Sequence, residues 1–371
     1  MSLAASTRAL DEISSWPGYE QTPLHSLSAL ARQLGLAALW YKDESQRFGV
    51  GSFKAMGGGY AVCEILKVEV QRQCGRRVTS SDLRSGAYES ITRSIVLTTA
   101  TAGNHGRAVA WAAQMFHCRC VVYVPAGCSA RRVDAIAAYG ADVVRTSFGY
   151  DDTVRECLRQ ATEEGHLVVS DTSWDGYEQI PCTVMQGYSV ITTEVTNQLP
   201  RGTIPTHIFV QGGVGSFAAA VAWHVRCHWA HSKPQLIVVE PEHAACLMES
   251  AKAGKPTALP GPSQSIMGGL ATAEVSPRAW PFVRDATNYF VSISDTAVAP
   301  AMRMLAFPLA HDPAIVGGES GVAGLAALTG ALGVQTEARN ALSLGPDSRV
   351  LLFGTEGATD PLIYEQLRGL P

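Results

Sequence analysis

A lysine among small and apolar neighbours is the residue of this 371-residue chain best placed to do covalent chemistry. Lys54 lies in Ser52-Phe53-Lys54-Ala55-Met56-Gly57-Gly58, just past the charged and glycine-bearing run Lys42-Asp43-Glu44-Ser45-Gln46-Arg47-Phe48-Gly49-Val50-Gly51. Water-poor surroundings disfavour an ammonium, lower the lysine pKa and leave a nucleophilic amine. Such an amine holds an aldehyde as a Schiff base, and pyridoxal 5′-phosphate is the commonest aldehyde held that way. A solvated lysine at a helix start explains the same segment taken alone.

Two glycine-bearing turns add weight to the covalent reading. Gln211-Gly212-Gly213-Val214-Gly215-Ser216-Phe217 follows the apolar run Ile208-Phe209-Val210 and precedes the helical pattern Ala218-Ala219-Ala220-Val221-Ala222-Trp223. Glycines there let backbone N–H groups converge on an anion such as a phosphate, the helix N-terminus adds its dipole, and the Ser216 hydroxyl adds one donor. A dinucleotide turn is the weaker reading, because Ala218 stands where G-x-G-x-x-G needs its last glycine. The second turn, Thr98-Thr99-Ala100-Thr101-Ala102-Gly103-Asn104-His105-Gly106, also joins a strand pattern to a helix pattern. Its N–H groups and the Thr101 hydroxyl suit a carboxylate, and the Asn104 amide suits the phenolic oxygen of a pyridoxal ring. His105 reads as a base or as a satisfied structural histidine. Near the C-terminus, Phe353-Gly354-Thr355-Glu356-Gly357 offers the Thr355 hydroxyl to a pyridine nitrogen. A hydroxyl, unlike a carboxylate, need not keep that nitrogen protonated; the weaker electron sink favours elimination over transamination.

The elements that must position these residues alternate. Apolar runs at 95–97, 120–124, 142–145 and 166–170 are each separated by helical patterns, and a second series runs at 206–210, 235–240 and 349–353. Buried strands alternating with helices predict parallel sheets built from βαβ units, and two series predict two α/β domains. Arg72 to Ser94 lacks apolar periodicity and reads as an insertion or mobile loop, and Gly254 to Gln264, with three prolines, as a surface loop. Hydrophobic residues at 46%, charged residues at 17% and a net charge of −4 suit an α/β enzyme and argue against nucleic-acid or membrane partners. No apolar run is long enough to span a bilayer and the N-terminus lacks a secretory pattern, so a cytoplasmic setting is expected. Nine scattered cysteines fit reduced thiols, and Cys118-Arg119-Cys120 is too tight for a zinc knuckle, so no metal is expected.

Taken together, the motifs resemble the fold-type II pyridoxal-phosphate enzymes, the group of tryptophan synthase β, threonine dehydratase and cysteine synthase. Within it the chain is most similar to the diaminopropionate ammonia-lyases. The stretches that carry the likeness run in order along nearly the whole chain. They include Tyr41-Lys42-Asp43-Glu44-Ser45-Gln46-Arg47-Phe48, Gly51-Ser52-Phe53-Lys54-Ala55, Gly103-Asn104-His105-Gly106-Arg107 and Asp171-Thr172-Ser173-Trp174-Asp175-Gly176-Tyr177. Further on come Met185-Gln186-Gly187-Tyr188, Gly212-Gly213-Val214-Gly215, Gly317-Gly318-Glu319-Ser320-Gly321 and Thr355-Glu356-Gly357. The resemblance implies a tryptophan synthase β-like fold of two α/β domains with the cofactor in the crevice between them. Residues 1–87 with 190–371 would form the large domain and 88–189 a smaller mobile one. Lys54 would carry the pyridoxal 5′-phosphate, with Phe53 beside it, Asn104 at the ring oxygen, Gly212, Gly213, Val214, Gly215 and Ser216 around the phosphate, and Thr355 at the ring nitrogen. Ser52, Thr101, Ala102, Gly103, His105 and Glu319 would meet the substrate, and Asp171 would act in catalysis, its carboxylate suited to a distal substrate ammonium.

One departure stands out. Members of the group typically carry aspartate where this chain has Ala102, and that carboxylate is thought to be the base for the D isomer. Alanine accepts no proton, so the resemblance implies α,β-elimination of 2,3-diaminopropionate, in its L form, to pyruvate and ammonia. A dehydratase acting on serine, threonine or 3-hydroxyaspartate is the competing enzyme reading, and a pyridoxal-phosphate binding protein without turnover is another. By analogy the chain is expected to form a homodimer.

Overall fold

In this computed structural model, residues 1–101, 103–261, 263–333 and 336–369 are described. In chain order the described strands are β1 (Leu24–Ser26), β2 (Ala38–Asp43), β3 (Val96–Ala100), β4 (Arg119–Val124), β5 (Asp142–Arg145), β6 (Leu167–Val168), β7 (His207–Gln211), β8 (Gln235–Pro241), β9 (Tyr289–Ile293) and β10 (Arg349–Gly354). They form two sheets, and the chain divides into two units, each containing one.

The unit made of Met1–Tyr19 and Lys54–Val190 holds the four-stranded parallel sheet β5-β4-β3-β6. Leu97 pairs with Cys120 on one side and Leu167 on the other, and Val122 pairs with Val143. β3, β4 and β5 each lead through a short turn into a helix, and β6 leads through a longer segment into the helix Gln179–Gln198, as an alternation of apolar runs and helical patterns requires. The helix Asn104–Met115 buries Ala108, Val109, Ala112 and Ala113. Small residues on that face let it lie close to the long helix Lys54–Cys74.

The unit made of Glu20–Phe53 and Ile191–Pro371 holds a six-stranded sheet in the order β1-β2-β10-β7-β8-β9. All neighbours are parallel except β1, which runs antiparallel to β2. Leu39, Tyr41, Phe209, Ile237, Val239, Val350 and Leu352 form its buried face with Leu325 and Leu328 of the helix Ala323–Leu332. The apolar runs at 206–210, 235–240 and 349–353 are β7, β8 and β10, while β2 and β9 carry strands that no apolar run announces.

Arg72 to Ser94 corrects the reading of a mobile loop. The long helix continues to Cys74, and short helices follow at Ser80–Arg84 and Glu89–Thr92. Thr79 and Asp82 form a reciprocal capping box at the first of these, and Leu83 is buried beneath it. The three-residue spacing of Thr79 and Asp82 was the available sequence signal. Residues 254–261 and 263–264 contain no helix or strand. No helix among the described residues is long and apolar enough to cross a membrane. All nine cysteines are free thiols.

A buried ionic cluster fixes the turn that leads toward Lys54. Arg47 donates from Nε and Nη2 to the two oxygens of Glu44, each at 2.8 Å, and from Nη1 and Nη2 to those of Glu194 at 2.9 and 2.7 Å. Lys42 Nζ donates to Glu194 at 2.6 Å, to Gln198 at 2.9 Å and to the Thr22 carbonyl at 2.7 Å. Burial opposes charge on Arg47, and the two carboxylates more than offset it, raising the guanidinium pKa. The next residue, Phe48, takes φ 52°, a left-handed conformation that bulky side chains avoid. Holding it there requires such anchoring. Removing one member leaves buried charge unpaired, so Arg47→Met is expected to destabilise the fold by about 3–5 kcal/mol, read from urea unfolding midpoints. Arg47→Lys should also lose most of this, because an ammonium lacks the bidentate fork.

Candidate active site

Lys54 is the first residue of the helix Lys54–Cys74, and its ammonium forms an ion pair with Asp171. Asp171 follows β6 in a segment braced by Tyr177, whose hydroxyl donates to the Val168 carbonyl at 2.8 Å and accepts from Ser170 N–H at 3.0 Å. Trp174 stacks on the Tyr177 ring at 4.1 Å. A carboxylate on a braced segment keeps its position with little entropy left to lose. Burial alone would lower the Lys54 pKa, but the Asp171 carboxylate and then Tyr188 outweigh it, and the net direction is up. This reverses the expectation of a depressed lysine. The apolar neighbours are present as the sequence implied; the paired carboxylate was not visible there. Burial pushes Asp171 the other way as well, yet Lys54 and then His105 bring it down to about 2, so it stays a carboxylate at neutral pH.

His105 stands in the first turn of the helix Asn104–Met115. Its Nε2 lies 2.9 Å from the Val169 carbonyl, which assigns the proton to Nε2. Its Nδ1 lies 3.9 Å from the Asp171 carboxylate. Burial lowers its pKa against the pull of Asp171, so the ring is neutral. Thr101 is buried, and its hydroxyl accepts from Gly103 N–H at 3.0 Å. A Cβ on Gly106 would stand 2.3 Å from Thr101 Cγ2 and 2.7 Å from Val122, so only glycine lets this helix start so close to the strand. Asn104 opens the helix, whose N-cap residue, Gly103, makes no side-chain cap bond. Ala102 lies outside the described residues.

The other unit gathers the remaining motifs. At the end of β7 the chain turns through Gly213 at φ 63° and Gly215 at φ 96°, then enters the thirteen-residue helix Ser216–His228 without a side-chain cap. A Cβ on Gly212 would meet Glu240 Cγ at 2.6 Å. The Glu240 carboxylate accepts from Leu247 and Met248 N–H, both at 2.8 Å, and burial pushes it up to about 7. N–H groups at a helix N-terminus, glycines that admit close approach and the buried Ser216 hydroxyl form a donor set of the kind a dianionic phosphate takes. The residues fit a phosphate-bearing cofactor.

Thr355 follows β10 directly, is buried, and its carbonyl accepts from Phe53 N–H at 3.0 Å. Gly357 N–H donates to the Gly51 carbonyl at 3.0 Å, and Ser52 bridges to Glu356. The Glu356 carboxylate accepts from Ser320 N–H at 2.8 Å, next to the fully buried Glu319. Gln211 ties the group together: its amide donates to the carbonyls of Phe353 at 2.6 Å and Gly321 at 2.9 Å. The Phe53 ring packs 4.7 Å from that of Phe217. Ser52 Oγ is buried with no hydrogen-bond partner among the described residues, an orphan hydroxyl of the kind a ligand satisfies.

Sequence reasoning assigned no role to Gln211, Glu240 or Tyr188. Gln211 lies inside a quoted motif, but its amide acts on loops distant in sequence. Elsewhere, Glu12, Cys63 and Glu64 bring metal-ligand atoms together. There Lys67 Nζ stands 3.2 Å from Glu12 and 2.6 Å from Glu64 and supplies the counter-charge.

Comparison with known proteins sets these observations in context. Residues 15–356 match the family described as pyridoxal-phosphate dependent enzyme. The chain is 39% identical over 358 residues to the diaminopropionate ammonia-lyase of Salmonella typhimurium, covering 95% of this chain and 88% of that one. The crystal structure of the Escherichia coli diaminopropionate ammonia lyase in complex with D-serine superposes with a TM-score of 0.92 at 36% identity, covering 99% of this chain and 92% of that one. The structure of the same E. coli enzyme with an aminoacrylate-PLP azomethine reaction intermediate gives 0.90 at 35% identity over the same shares.

Proposed function

We propose, from the premise that this chain belongs to the family of pyridoxal-phosphate dependent enzymes, that it converts 2,3-diaminopropionate to pyruvate and ammonia. The observation that carries the reading is the partly buried Lys54–Asp171 pair, joined to the likeness with diaminopropionate ammonia-lyases along nearly the whole chain. The cofactor supplies an aldehyde that takes up amines and a ring that spreads negative charge from the substrate Cα. Everything else falls to side chains. Lys54 is the amine that holds the aldehyde and, once displaced by substrate, accepts the Cα proton at Nζ. Asp171 stabilises the ammonium so formed and is the anion available to a second substrate ammonium. The 212–216 turn holds the phosphate, Thr355 the ring nitrogen and Asn104 the ring oxygen. Thr101, Gly103 and His105, with Ser52 and Glu319, belong to substrate binding in the same proposal. Ala102, whose methyl group accepts no proton, supports confinement to the L isomer.

The test offers purified protein both isomers of 2,3-diaminopropionate, L-serine and L-threonine, and measures 2-oxo acid and ammonia separately. Two ammonia per pyruvate from the L isomer supports the proposal. Equal amounts from serine, with none from diaminopropionate, would make it a dehydratase. A homodimer and a reduced cytoplasmic setting belong to the same proposal, the latter supported by nine free thiols. Residues 88–189 as a smaller moving body belong to it too; hydrogen exchange slowed in that segment by substrate is the expected sign.

A further inference from the structure

Two glycines mark the crossing of the helices Lys54–Cys74 and Gln179–Gln198. A Cβ on Gly187 would lie 2.3 Å from the Met56 carbonyl oxygen, and one on Gly57 would lie 2.4 Å from Cε1 and 2.7 Å from Cζ of Tyr188. Neither helix tolerates a side chain there, so the backbones approach closely and the Tyr188 ring is pressed against the turn that begins with Lys54. Positions 54 and 57 share one face of that turn. The ring is fully buried and its centroid lies 5.9 Å from Lys54 Nζ, so the phenol is among the groups that act on that ammonium. Glycine inside a helix costs about 1 kcal/mol relative to alanine, so these positions give up helix stability for proximity.

We infer that Tyr188 is a positioning residue for Lys54, its hydroxyl holding Nζ in both protonation states through the proton transfer. The inference rests on the reading of Lys54 as the reacting lysine. Asp171, as a carboxylate, only accepts, and so favours the ammonium. A phenol does both: it accepts from the ammonium and donates to the lone pair of the neutral amine. Burial raises the phenol pKa despite the nearby ammonium, which keeps that hydroxyl protonated. When the substrate C–H bond breaks, its electron pair stays with the substrate and the proton forms an N–H bond on Nζ. Tyr188 changes only the direction of its hydrogen bond and adds no charge.

Tyr188→Phe keeps the ring and removes one oxygen. In the holoenzyme, kcat for 2,3-diaminopropionate should fall about 10- to 100-fold with KM within about threefold. Cofactor absorbance should persist, and the deuterium isotope effect from 2-deuterated substrate should rise as proton transfer becomes limiting. Values of kcat and isotope effect within twofold of wild type would overturn the inference. So would a fall in kcat that tracks cofactor loss with no change in isotope effect. Should the Phe variant fail to fold, Gly57→Ala, which drives the ring away while keeping its hydroxyl, is judged by the same criteria. A wild-type protein inert on 2,3-diaminopropionate sinks the substrate reading alone. Exchange of the L-alanine Cα hydrogen in deuterium oxide, which needs no leaving group, then carries the same comparison.

Discussion

Lys54→Ala is expected to remove the yellow absorbance of lysine-bound cofactor and to lower turnover by at least about 10³-fold. Two roles fall on one nitrogen, holding the aldehyde and accepting the Cα proton, so no single replacement restores both. Lys42, which is fully buried, cannot stand in. Its Nζ is engaged by Thr22, Glu194 and Gln198. Absorbance spectra and a pyruvate assay on the same preparation check both halves. Retained absorbance with lost turnover would leave Lys54 as a base while another amine held the cofactor.

Asp171→Asn is expected to have the next largest effect, about a 10²-fold loss of kcat, because an amide no longer stabilises the ammonium formed on Lys54. A stability signature accompanies it. Asp171 is depressed to about 2, below its unfolded value of about 3.9. Its contribution is therefore present above about pH 4 and fades as pH falls toward 2. Lys54 is raised, so its contribution is present below about pH 10.4 and fades as pH rises beyond that. With the lysine amine free of cofactor, the pair should stabilise the fold between those limits, and Asn should flatten that part of the profile. Denaturant midpoints against pH for the two proteins supply the comparison.

The sheets were legible where an apolar run is unbroken. Cys120–Val124, Thr206–Val210 and Gln235–Glu240 fall on strands β4, β7 and β8. β2 was not, because it ends on Lys42 and Asp43, and charged residues argue against a buried strand. What makes Lys42 tolerable there is Glu194, 152 positions away. β9 is an edge strand of mostly half-buried residues, a weak signal for any periodicity. The direction of the Lys54 pKa was unreadable for the same reason as β2: its partner Asp171 lies 117 positions distant. Gly57 and Gly187 looked like ordinary small residues until the crossing of their helices gave them a purpose. His105 left two readings open, and its bond to the Val169 carbonyl is a contact no spacing announces.

The most direct measurement is borohydride reduction of the holoenzyme followed by tryptic digestion and mass spectrometry. Trypsin cuts after Arg47 and Lys67 but not after a modified Lys54, so the expected product is a single pyridoxyl-bearing peptide spanning Phe48–Lys67. Recovery of that peptide cleaved and unmodified at Lys54, with the pyridoxyl group elsewhere or nowhere, would contradict Lys54 as the lysine that holds the cofactor.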